Sequence, residues 1–233
     1  MTATATATDR RTIIGAGALL AGAVGGPAGA SMTGDGDASA PGARWQPAME
    51  PQDAWLDKPG TRHRMVADTS SATAAQSALF VVDNFYKANK SGYGLDPAAL
   101  GVAIVLRHMS TPLGYNDAIW AKYGAHFAEE IGLKGALAIA AAKRNPLLTA
   151  DDPKDKDATT IASLAAIGTI FPVCGMATQG AAAGLAKKLG GDKAAIEKEL
   201  RANLVPGGVM VAAGVVAINR AQEHGYSFCY VPE

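Results

Sequence analysis

A chain of 233 residues, 48% apolar and 18% charged, suffices for one domain of ordinary size and is neither wholly disordered nor wholly membrane-embedded. Its 21 basic and 21 acidic residues balance, so the basic surface that a nucleic-acid partner needs is missing. Two cysteines are too few for a disulfide-built scaffold.

The first predicted element is an export signal over residues 1–30. Arg10 and Arg11 form a pair, a mildly apolar Gly/Ala-rich run follows from Thr12, and Ala28-Gly29-Ala30 offers small residues for a signal peptidase. Paired arginines before a weakly apolar run look like the twin-arginine route, which predicts a periplasmic protein. The run is too short and Gly-rich to span a bilayer, so no stable membrane span is expected after processing. Residues 31–61, rich in Gly, Ser, Ala and Pro at their start, read as a flexible arm or linker, with Trp45 and Trp55 as possible anchors.

From residue 62 to 233, strands and helices alternate. "RHRMVADTS" is a strand. "SSATAAQSALFVVDNFYKANK" is a helix, with Ala75, Leu79, Val82 and Tyr86 on one face and Ser70 or Ser71 as its cap. "ALGVAIVLRH" is a strand and "NDAIWAKYGAHFAEEIG" a helix capped by Asn116 or Asp117. Residues 141–157, "AAKRNPLLTADDPKDKD", read first as a solvated surface insertion and second as a lid or subunit contact. Then follow a helix in "DATTIASLAAIG", a strand "TIFPVC", helices "ATQGAAAGLAKKLG" and "DKAAIEKELRANL", a strand "GGVMVAAG", a helix "VVAINRAQEHG" and a last strand "YSFCYV". Several strands are apolar on both faces, which a parallel sheet covered by helices requires. The expected fold is α/β, three layers, with a mainly parallel five-stranded sheet and helices on both faces, Rossmann- or flavodoxin-like. Pro172 implies that pairing stops just before Cys174 or that its strand lies at an edge.

The C-terminal ends of parallel strands share one edge, where ligands bind. That edge should gather Asp68-Thr69-Ser70, Arg107-His108, Cys174-Gly175 and Ala213-Gly214. Cys174 would sit where a strand hands over to a helix, whose N-terminus favours a thiolate, with Arg107 or His108 adding support. Free cysteine is also a common core residue, so plain packing is the competing reading. A Cys174–Cys229 disulfide would need neighbouring strands in register. His63, His108, His126 and His224 form no HExxH or CxxCH spacing, and no strand is followed by GxGxxG or GxxxxGKS. No metal site and no cofactor are therefore predicted.

The stretches "GVAIVLRHMSTPLGYNDAIWAKYG", "TIFPVCGMATQGAAAGLAKKLG" and "ANLVPGGVMVAAGVVAINRAQEHGYSFCYV" resemble the DsrE/DsrF-like sulfur-relay superfamily, in an exported branch. The resemblance implies a parallel five-stranded α/β fold, assembly as a trimer or hexamer, and a persulfide on the cysteine after a central strand, here Cys174. It also implies sulfur donor and acceptor proteins as partners. Two functions stand side by side: a sulfur carrier or sulfurtransferase-like protein using Cys174, with Arg107 and His108 as binding groups, and a non-catalytic periplasmic small-ligand-binding or assembly module. Redox sensing by the same thiol is a third.

Overall fold

The structure, a computed structural model, describes residues 46–232 apart from residue 142. The expected signal over residues 1–30 and the first part of the arm lie outside the described residues.

Five strands form one all-parallel sheet: β1 His63–Thr69, β2 Leu100–Leu106, β3 Thr169–Cys174, β4 Gly208–Val211 and β5 Ser227–Tyr230. Their order across the sheet is β4-β3-β2-β1-β5. The helices are α1 Ala72–Tyr93, α2 Asp117–Glu130, α3 Gly135–Ala141, α4 Ile161–Ala166, α5 Gly175–Leu189, α6 Lys193–Ala202 and α7 Gly214–Glu223. Local chemistry sets their ends. Ser71, Asn116 and Asp192 each accept a backbone N–H from the first turn of α1, α2 and α6, and α5 stops where Gly190 turns left-handed at φ 73°.

The strand order explains the two unequal faces. Each step from β1 to β2, β3 and β4 moves the same way across the sheet, so right-handed crossovers stack α1 to α6 on one face. The chain then returns from β4 at one edge to β5 at the other, and α7 crosses the opposite face. Burial follows: Leu79, Trp120, Leu164, Leu185 and Leu200 pack with Ala67, Ile104, Phe171 and Val173 in the large core. Leu56, Val66, Ala103, Val105, Ala221 and Tyr226 form the smaller one. The three-layer α/β expectation is met, with one helix alone on the second face.

That lone helix is supplemented by the segment expected as linker. Pro51–Leu56 forms a 3-10 turn that drops Leu56, fully buried, into the smaller core. Tyr226 donates its hydroxyl to the Leu56 carbonyl at 3.1 Å, and Arg220 on α7 holds the buried Asp53 at 2.6 Å. Residues 46–61 thus include part of the second layer.

Pro172 does not end the sheet. β3 is an interior strand, and its pairing with β4 runs through to Cys174 opposite Val211. The ladder to β2 lapses across Phe171 and Pro172 and resumes at Val173, while Phe171 donates to the Gly207 carbonyl at 2.8 Å. The missing proline donor falls on the β2 side only, so one ladder absorbs the loss.

The 141–157 stretch is half buried rather than wholly solvated. Asn145, Pro146, Leu147 and Leu148 are buried, whereas residues 151–157 are exposed. Asn145 Nδ2 donates to the carbonyls of Leu113 and Tyr115, both at 2.8 Å, and its Oδ1 accepts from Leu147 N–H. A buried amide that satisfies two main-chain carbonyls anchors the chain leading into α2. Among the described residues no helix is long and apolar enough to cross a membrane.

Candidate functional site

Two neighbouring strands whose chains leave to opposite faces open a crevice at their C-terminal ends. Here those strands are β3, which continues into α5 on the large-core face, and β4, which continues toward α7 on the other. Cys174 is the last residue of β3, so it stands at this switch point. Its sulfur caps α5, accepting the Ala177 N–H at 3.5 Å. The cysteine is buried, only 7% exposed. A Cβ on Gly175 would lie 2.6 Å from the Val211 carbonyl oxygen and 3.0 Å from that of Ala212, so only glycine lets α5 start this close to β4. Met176 N–H donates to the Ala212 carbonyl at 3.2 Å across the same gap.

Arg107 leaves β2 directly beside Cys174, since Leu106 and Val173 are register partners. Its guanidinium makes a two-pronged pair with Asp68 at the end of β1: Nε to Oδ1 and Nη2 to Oδ2, each 2.7 Å. Asp68 raises the Arg107 pKa chiefly through these hydrogen bonds, and the charges that Cys174 and Tyr230 can carry add to that. Nη1 has no hydrogen-bond partner among the described residues. The arginine stem is fixed from the other side by α7, because a Cβ on Gly214 would come within 2.5 Å of Arg107 Cβ. Arg107 is therefore a guanidinium held on the same edge as the thiol, with part of its charge offset by Asp68.

His108 follows Arg107 and opens a 3-10 turn over His108–Gly114, so the strand expected to reach it stops at Leu106. It is exposed and has φ 53°, the only non-glycine residue with positive φ among the described residues. Histidine adopts this region more readily than most side chains, and such positions concentrate at functional edges. Ser110 Oγ closes the turn onto the Thr69 and Arg107 carbonyls at 3.0 and 2.8 Å.

Three further residues, to which no motif pointed, gather at the Cys174–Gly175 junction. Tyr115, fully buried, donates to Thr178 Oγ1 at 2.9 Å, and Thr178 Oγ1 donates to the Cys174 carbonyl at 2.9 Å. Burial pushes the Tyr115 hydroxyl far above its ordinary pKa against the opposing Thr178 hydrogen bond, so it stays a neutral donor. Arg201 at the end of α6 brings Nη1 to 3.4 Å from where a Gly175 Cβ would stand, while its Nε pairs with Glu197 at 2.8 Å. The recoverable signal was Thr178 itself, four residues after Cys174 and so stacked one helical turn away. Tyr115 and Arg201 come from loops and helix ends remote in sequence, where no spacing links them to the cysteine.

Cys229 belongs elsewhere. It lies on β5, with β1 and β2 between it and β3, about three strand spacings or ~14 Å away. Both thiols are free, and the contemplated disulfide is geometrically closed off. Among the described residues no group of three or more His, Cys, Asp or Glu side chains is placed to hold a metal ion. Beyond the strand ends nearest the crevice, Met176 and Val215, in the first turns of α5 and α7, and Met109, after β2, are exposed apolar side chains.

No protein-family model matches the chain, and neither a curated protein nor a solved structure matches it.

Proposed function

We propose that the chain is a sulfur carrier, or sulfurtransferase-like protein, that holds a persulfide on Cys174. The single observation that carries this reading is the placement of the thiol: it caps α5 at the β3/β4 switch point, one strand from Arg107. A helix N-terminus and a guanidinium both favour negative charge on sulfur, which persulfide chemistry requires. The resemblance of the three sequence stretches to DsrE/DsrF-like proteins supports the same reading, and with it a periplasmic location, assembly as a trimer or hexamer, and donor and acceptor proteins.

The chemistry balances without a redox partner. The Cys174 thiol first gives its proton to solvent. The thiolate then attacks the terminal sulfur of a polysulfide, a new S–S bond forms, and the old one breaks as the shortened polysulfide leaves with the electron pair. An acceptor thiolate later attacks the outer sulfur and Cys174 departs as thiolate. Arg107 and Arg201 would offset the anionic outer sulfur. The exposed apolar side chains of Met109, Met176 and Val215 suit transient contact with an acceptor.

Intact mass after incubation with polysulfide tests this. The protein is expected to gain mass in steps of one sulfur atom, Cys174→Ser to gain none, and Cys229→Ser to behave as the parent. Sulfur retained by Cys174→Ser would overturn the assignment. The second reading, a non-catalytic ligand-binding module with Cys174 as packing, is favoured by the low exposure of the cysteine. It expects labelling of Cys174 only in denaturant and no persulfide.

A further inference from the structure

A cavity of about 320 Å³ lies on the α7 face, between the 51–56 turn, the end of β4 and the side of α7. Cys174 does not line it, although the lining residue Val211 is the register partner of Cys174, and nothing in the sulfur chemistry uses it. Its volume falls at the lower end of the range for small-molecule sites, and it adjoins the strand end where α/β folds bind ligands. Its walls are largely apolar, with Met210, Val211 and Val216 facing the half-buried Trp55.

The charges select the ligand. Arg220 is the one cation on the lining, and it is already engaged: it donates to Asp53 at 2.6 Å, to Glu223, and to the Ala48 carbonyl. His224, behind Arg220, pairs with Asp57 at 2.9 Å. Glu50 also lines the cavity, exposed, and its carboxylate has no hydrogen-bond or ion-pair partner among the described residues. On the lining itself two carboxylates, Glu50 and Asp53, stand against one cation, so the local charge is negative and disfavours an anion. Trp55 and Glu50 both line the cavity, and an indole face and an unpaired carboxylate each attract an ammonium group.

We propose that this cavity binds a small organic ammonium compound, with its apolar body against Met210 and Val216 and its charged head between Trp55 and Glu50. The probe is choline, titrated calorimetrically into the full chain at low ionic strength, with the uncharged carbon isostere 3,3-dimethyl-1-butanol as control. Saturable binding of one choline per chain is expected, with the alcohol about tenfold weaker or worse. Glu50→Gln should weaken choline binding several-fold and leave the melting temperature unchanged, since Glu50 is exposed. Trp55→Leu should weaken it about tenfold, and Trp55→Phe less, because phenyl is the poorer cation acceptor. The proposal is overturned if choline gives no saturable heat in the millimolar range. Equal affinity for the alcohol, or unchanged choline binding in folded Glu50→Gln, overturns it as well.

Discussion

At the residue scale the site is held by groups whose own partners are satisfied. Thr178 is the clearest case: it accepts from the buried Tyr115 hydroxyl and donates to the Cys174 carbonyl. Thr178→Val keeps the shape and removes the hydroxyl, so Tyr115 would be left buried without an acceptor. Chemical denaturation should show a loss of about 1–3 kcal/mol. Thr178→Ser should recover most of it, which plain packing loss would not predict. Gly214 gives a second case. Gly214→Ala would drive a methyl into Arg107 Cβ, so either α7 or the Arg107–Asp68 pair must shift. Overpacking of this kind costs about 1–3 kcal/mol. A melting temperature unchanged in this variant would show that the contact yields easily.

At the element scale the informative piece is the 3-10 turn Pro51–Leu56. Sequence composition assigns it to a linker, because the stretch before it is rich in Gly, Ser, Ala and Pro. Tertiary contacts instead recruit it, since a lone α7 leaves part of the second sheet face uncovered, and Leu56 fills that space. Leu56→Ala should destabilise the fold by about 2–5 kcal/mol, as for other fully buried leucines. Removing the chain up to residue 61 should cost more, whereas removal up to residue 45 should spare the packed turn. Comparable melting temperatures for the two truncations would mean that the turn contributes nothing. A similar division runs through 141–157, whose charged half is solvated while Asn145 locks the approach to α2.

At the scale of the whole molecule, burial of phenols predicts the alkaline limb of stability. Desolvation raises the pKa values of Tyr86, Tyr115 and Tyr226 above the ordinary tyrosine value. A group whose folded pKa is raised contributes fully below its unfolded pKa, and that contribution is lost as pH climbs through the folded value. Stability should therefore fall above about pH 10, where unfolded tyrosine ionises. Tyrosinate absorbance followed to high pH should appear partly as a late step coincident with loss of near-ultraviolet ellipticity. Full ionisation of all six tyrosines before any unfolding would contradict the burial pattern.

What the sequence determined by itself is the alternation of five apolar strands with helices, and hence the parallel α/β class. Those signals are local: continuous apolar runs such as "GVAIVL", helical spacing in α1, and cap candidates at Ser70 or Ser71, Asn116 or Asp117, and Asp192, of which the structure uses Ser71, Asn116 and Asp192. The presence of Cys174, Arg107 and His108 at strand ends was legible for the same reason, because strand direction assigns each strand end to one edge. The strand order was not, since parallel strands joined by long crossovers carry no local mark of which neighbours pair. That order decided that β3 lies beside β2 and β4, that Cys229 is remote, and that Pro172 sits in an interior strand. It also brought Tyr115, Thr178 and Arg201 to the Cys174–Gly175 junction and committed Arg107 to Asp68. These are contacts between residues distant along the chain, and only packing of the finished layers brings them together.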